Sequence, residues 1–279
     1  MQTDAVQSDV RTTGGDGHIV IRTTAGSITL NNGTAPSDDT AVSASGSGNI
    51  LIQALGAGTD ITANADIVSG SGNVSVLAAR SVSFTGTADI RTTSTAASSG
   101  SIDVLAGTGS ITQSATSVFL STGATATARL LAATDVTVGD IELADGKVSI
   151  TATGGSILDA DALIAGTPET NDADQDVTAS ALRLVAGVGI GASVNHLETT
   201  VGTLSARAGN GSNYVLEAND LTIDDVGLSV NRGQRCEHGH GQQHGRGAER
   251  RSHHGRQRQH RDPHDSWQHR AEQRDGAQR

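Results

Sequence analysis

The chain has 279 residues and a formal net charge of −11, and its 35 Gly stand beside one Trp, one Tyr and two Phe. With 1% aromatic residues any core must be made of Val, Ile, Leu and Ala, unlike that of an ordinary globular domain, while the recurrent aliphatic clusters argue against wholesale disorder. Only eight of the 19 Lys and Arg precede Arg232, so the body is acidic and lacks the clustered cations that a nucleic-acid partner requires.

In chain order the same phrase returns: a Gly-polar step, an alternating aliphatic run, a corner of small residues, then a second short alternating run. Gly17-His18-Ile19-Val20-Ile21 is followed by Ser27-Ile28-Thr29-Leu30, and Gly48-Asn49-Ile50-Leu51-Ile52 by Asp60-Ile61-Thr62-Ala63. Gly72-Asn73-Val74-Ser75-Val76-Leu77 precedes Ser81-Val82-Ser83-Phe84, and Gly100-Ser101-Ile102-Asp103-Val104-Leu105 precedes Gly109-Ser110-Ile111-Thr112. Asp135-Val136-Thr137-Val138 and Gly146-Lys147-Val148-Ser149-Ile150 continue the series. A period of two predicts strands with Ile and Val inward and Ser, Thr and Asp outward, bounded by turns at Gly and Asn, where positive φ is expected. No window carries a capped helical stripe.

The unit starts Gly17, Gly48, Gly72, Gly100 and Gly146 lie roughly twenty to forty residues apart, the spacing of solenoid rungs. One rung cannot bury its own aliphatic face, so stacking supplies both the core and the backbone hydrogen bonds. The expectation is an all-β chain, a parallel β-helix over residues 1–231. An antiparallel sandwich or barrel is the alternative, disfavoured by scarce hairpin signals and missing aromatic anchors.

From Arg232 the chain turns to Arg, His, Gln and Gly, as in Arg250-Arg251-Ser252-His253-His254. His238, His240, His253 and His254 invite a nickel or zinc reading, and the basic run an RNA-binding one. A shifted reading frame accounts for the sequence better. Codons for Ala248–His254 regrouped from the second base read Gln-Ser-Asp-Val-Arg-Thr, the sequence of Gln7–Thr12. Gly255–Arg270 regrouped in the same way reads on through Thr13–Ile28, with Asn in place of Asp16 and His18. Position n then lies under position n + 241 as far as Ala35, with one further change at Thr29. Residues 232–279 are therefore expected to be a disordered, frame-shifted copy of the start of the next repeat. The parent repeat is expected to be about 241 residues long.

The recurrent G-[NS]-[IV]-x-[VIL] strands with Ala, Thr, Ser and Asp corners resemble the repeat regions of filamentous-haemagglutinin-like adhesins and related giant repetitive bacterial surface proteins, over roughly residues 5 to 230. The resemblance implies a right-handed parallel β-helix, export through an outer-membrane partner or as an autotransporter, and a part in attachment. It also implies neighbouring repeats as partners, with host or surface glycans or proteins beyond them. The parent would then be extracellular or outer-membrane associated. Met1-Gln2-Thr3-Asp4 carries no signal peptide, in keeping with a chain that starts inside a larger gene, and no segment approaches the roughly 18 apolar residues of a membrane span.

Glu169, Asp172, Asp174 and Asp176 could ligate calcium, which takes several oxygens from one loop. They lack the glycine and terminal glutamate of an EF-hand, and a solvated loop is the favoured reading. Gly187-Val188-Gly189-Ile190-Gly191 has the outline of a dinucleotide loop, but no helix pattern follows. His18 and His196 lack nucleophile or carboxylate neighbours in a catalytic pattern, and Lys147 is the one lysine of the body. No catalytic residue and no cofactor is expected. A carbohydrate-active β-helix enzyme fragment and a nonfunctional truncated gene product are the alternatives to a structural, adhesive repeat.

Overall fold

A computed structural model describes residues 3–5, 7–34, 38–93, 100–161 and 175–233. Among them every extended strand pairing is parallel, no helix is present, and the chain winds into a parallel β-helix. The antiparallel sandwich is thereby set aside. Of the stretch expected to be a disordered tail, Arg232 and Gly233 are ordered against Asp103 and Ser75, and residues 234–279 lie outside the described residues.

Each complete rung has three faces. The first holds β1 (Val10–Arg11), β2 (Ile19–Thr23) and β3 (Ile28–Leu30), and the second β4 (Thr40–Ala44), β5 (Ile50–Ala54) and β6 (Ile61–Ala63). The third holds β7 (Asp66–Ser69), β8 (Val74–Ala78) and β9 (Val82–Phe84), and the fourth β10 (Ile90–Thr92), β11 (Ile102–Ala106) and β12 (Ile111–Gln113). The fifth holds β13 (Val118–Ser121), β14 (Thr127–Ala132) and β15 (Val136–Val138). In the sixth, β16 (Asp140–Ala152) runs unbroken over the corner between the first and second faces before β17 (Ile157–Asp159), and β18 (Val177–Ala186) and β19 (Leu197–Arg207) do the same in the next two rungs. β20 (Val215–Glu217) and β21 (Thr222–Ile223) begin a ninth.

Inward residues stack in register. Ile19, Ile50, Val74, Ile102, Ala128, Val148, Leu182 and Leu204 form one column, and Ile28, Ile61, Val82, Ile111, Val136 and Ile157 another; all are buried. Rung length varies without breaking these columns, since 20 residues separate Ala128 from Val148 and 34 separate Val148 from Leu182. The excess is taken up at corners. Two aromatics enter the core, Phe84 and Phe119, in edge contact with ring centroids 4.7 Å apart.

The two runs per unit visible in the sequence are the second and third faces. The first face, through Val42, Ile67, Ile90 and Phe119, is additional; its short apolar runs stand among Asp, Ser and Thr that are themselves buried, such as Asp66, Ser69, Asp89 and Thr92. A rung opening at Ala126 instead of glycine was also hidden between Gly100 and Gly146. The phrase-opening glycines serve stacking more than turn geometry. A Cβ on Gly48, Gly72 or Gly100 would stand 2.2, 2.0 or 1.7 Å from the carbonyl oxygen of the glycine one rung earlier. Positive φ falls instead at corner glycines such as Gly46, Gly58 and Gly86.

Candidate acidic site

Corners are where a solenoid leaves backbone amides without strand partners, and buried amides must find acceptors. Here short polar side chains supply them from one rung to the next. At the second corner the Asn49 amide donates to His18 Nδ1 (2.9 Å), that of Asn73 to Asn49 Oδ1 (2.7 Å) and that of Ser101 to Asn73 Oδ1 (2.9 Å). At the third, Asp60 donates to Ser27 Oγ, Ser81 to Asp60 Oδ1 and Ser110 to Ser81 Oγ. At the first, Asp89 donates to Asp66 Oδ1 (2.9 Å), Val118 to Asp89 Oδ1 (2.7 Å) and Glu198 to Asp176 Oδ2 (2.7 Å).

The first corner is therefore an acidic column. Arg91 pairs with both Asp66 and Asp89, yet burial raises the Asp66 pKa above its ordinary value. Asp159 ends β17, Asp161 follows it, and both approach Asp176, so that one carboxylate oxygen from each lies within 4.8 Å of the others. The Asp161 amide donates to Asp159 Oδ1 (2.6 Å), and Asn195 Nδ2 donates to Asp159 Oδ2 (2.6 Å). Asp176 is 5% exposed; desolvation first and the charge of Asp159 second push its pKa up to about 11. At neutral pH it holds a proton shared with Asp159.

Of the residues read as calcium ligands, Asp176 belongs to this cluster, and Glu169, Asp172 and Asp174 lie outside the described residues. Asp159 and Asp161 were missed, although Leu158-Asp159-Ala160-Asp161 carries an Asp-x-Asp signal. A hard cation here would replace the shared proton and draw on Asp159, Asp161 and Asp176. His18 is a corner acceptor in the first rung, whereas His196 stacks on Tyr214 with ring centroids 5.6 Å apart in the eighth and ninth; the structure does not bring them together. Gly187 is a packing glycine whose added Cβ would stand 2.4 Å from the Thr153 carbonyl oxygen. Lys147 is exposed at the corner within β16.

A second charged cluster lies on the outer side of the second face. Asp103, fully buried, accepts from Arg129 Nε (2.9 Å) and from Arg232 Nε (2.6 Å). No protein-family model, curated protein or solved structure matches the chain.

Proposed function

We propose that the chain is a structural and adhesive repeat segment of a large secreted or cell-surface protein, a stiff acidic stalk without catalysis. What supports this reading above all is the use of the corner chemistry. The Asp, Asn and Ser side chains that would serve a reaction are committed to amides of the adjacent rung, giving a stack whose repeat is its product. Neighbouring repeats are its immediate partners, and surface glycans or proteins its distal ones. Weak contacts made by each segment add up when many copies are displayed together.

The alternative is a carbohydrate-active enzyme, favoured by one observation: carboxylate oxygens of Asp159, Asp161 and Asp176 converge within 4.8 Å of one another, and burial raises the Asp176 pKa as a general acid requires. The burial of Asp176 weighs against it. Particles coated with residues 1–279 separate the two readings. Retention on a glycan or protein surface, at least about tenfold above that of the free monomer, is expected from polyvalent attachment. Release of reducing ends from polysaccharide that is lost in Asp176→Asn would establish the enzyme instead.

A further inference from the structure

On the second face the outward residues Ser75, Asp103, Arg129, Ser149 and Arg183 stand in one cross-strand row, in register from β8 to β18. Outward residues of a solenoid face water, and Val20 at the start of the same face is 40% exposed. Ser75 and Asp103 are nevertheless 0% exposed and Leu77 7%. What covers this face is the chain itself. After β21, Val226–Leu228 lie beside Arg129, Ser149 and Arg183, around a hollow of about 320 Å³. The Asn231 amide then donates to Ser101 Oγ (3.1 Å), Arg232 pairs with Asp103, and the Gly233 amide donates to Ser75 Oγ (2.9 Å).

The segment crosses the strands and travels back down the stack. Four strand spacings from β18 to β8 amount to ~19 Å, and the seven steps from Val226 to Gly233 reach ~23 Å when extended. The segment must therefore be nearly straight. It cannot join the ladder of a sheet it crosses, so its amides go to serine hydroxyls. Backbone donors are read without regard to sequence, and two positions are read by identity. A guanidinium faces the buried Asp103 carboxylate, and at Gly233 an added Cβ would stand 2.5 Å from the Ile50 carbonyl oxygen.

We propose that this row is a docking groove for an extended polypeptide bearing an arginine followed by glycine, and that Val226–Gly233 is its resident occupant. The groove is independent of the stalk reading. Hydrogen exchange on the full chain is the first test. The Asn231 and Gly233 amides are expected to exchange at least about tenfold more slowly than in a free peptide of residues 222–233; equal rates overturn the proposal. Gly233→Val alters the occupant and no strand of the solenoid. Fluorescence anisotropy of the labelled 222–233 peptide should saturate with the Gly233→Val chain and be at least about tenfold weaker with the wild type, whose groove is filled. Adding Asp103→Asn to Gly233→Val should weaken peptide binding at least about tenfold. Binding that is the same with and without Asp103, or the same to wild type and Gly233→Val, overturns it.

Discussion

Gly48, Gly72 and Gly100 follow one another up one corner, each with its missing side chain aimed at the carbonyl oxygen below. Gly72→Ala forces a backbone shift in the middle of the stack and should cost about 3 kcal/mol in urea unfolding. Gly14→Ala, with nothing within 4 Å and no positive φ, should be neutral or slightly stabilising. Sequence reading found these glycines and assigned them to turns. Close backbone approach leaves the same mark in a sequence as a left-handed φ, so the two separate only in three dimensions. Asp176 carries the second prediction at this scale. Its folded pKa is raised, so the folded state keeps a proton that the unfolded chain releases above ~4. Its contribution is complete below that value and is lost as pH rises toward the folded pKa. Stability against thermal unfolding should therefore fall from pH 5 to pH 8, by on the order of 1 kcal/mol per pH unit at most. Asp176→Asn, which cannot titrate, should flatten that slope.

Among the elements, the second and third faces were legible because apolar residues alternate with polar ones, as in Ile28, Thr29 and Leu30 or Ile102, Asp103 and Val104. The first face was not, because Asp66 and Asp89 there are buried and break the expected rule that a polar residue points to water. Their burial follows from the amides they cap, a relation between rungs that no window along one rung contains. Val226–Gly233 was illegible for a related reason, since a segment that crosses strands has no periodicity of its own. The corner ladders make their own prediction. Asn73→Ala removes the acceptor for Ser101 and the partner of Asn49 and should destabilise by about 1–3 kcal/mol, whereas Asn73→Ser, with an acceptor of similar reach, should recover part of the loss. Equilibrium denaturation of the two variants checks the order.

For the whole stack, contacts run from rung to rung, so stability should behave as a sum of rung and interface terms. Val74 and Ile102 are register partners, and excising residues 74–101 joins Asn73 directly to Ile102 with every remaining column intact. That chain should unfold cooperatively with β-type circular dichroism at a lower midpoint. Excising residues 76–102 instead joins the outward Ser75 to the outward Asp103 within one strand, exchanging the inward and outward sets at the junction, and should abolish the transition. The row of paired Asp, Asn and Ser at the corners also has a sense of direction. In these ladders the earlier rung offers the acceptor and the later rung the amide. A chain emerging from its N-terminus thus leaves behind, at each completed turn, acceptors already positioned for amides that have yet to appear. Assembly begun at the other end would meet donors in place of acceptors, so the two ends of the stack present chemically different growing edges.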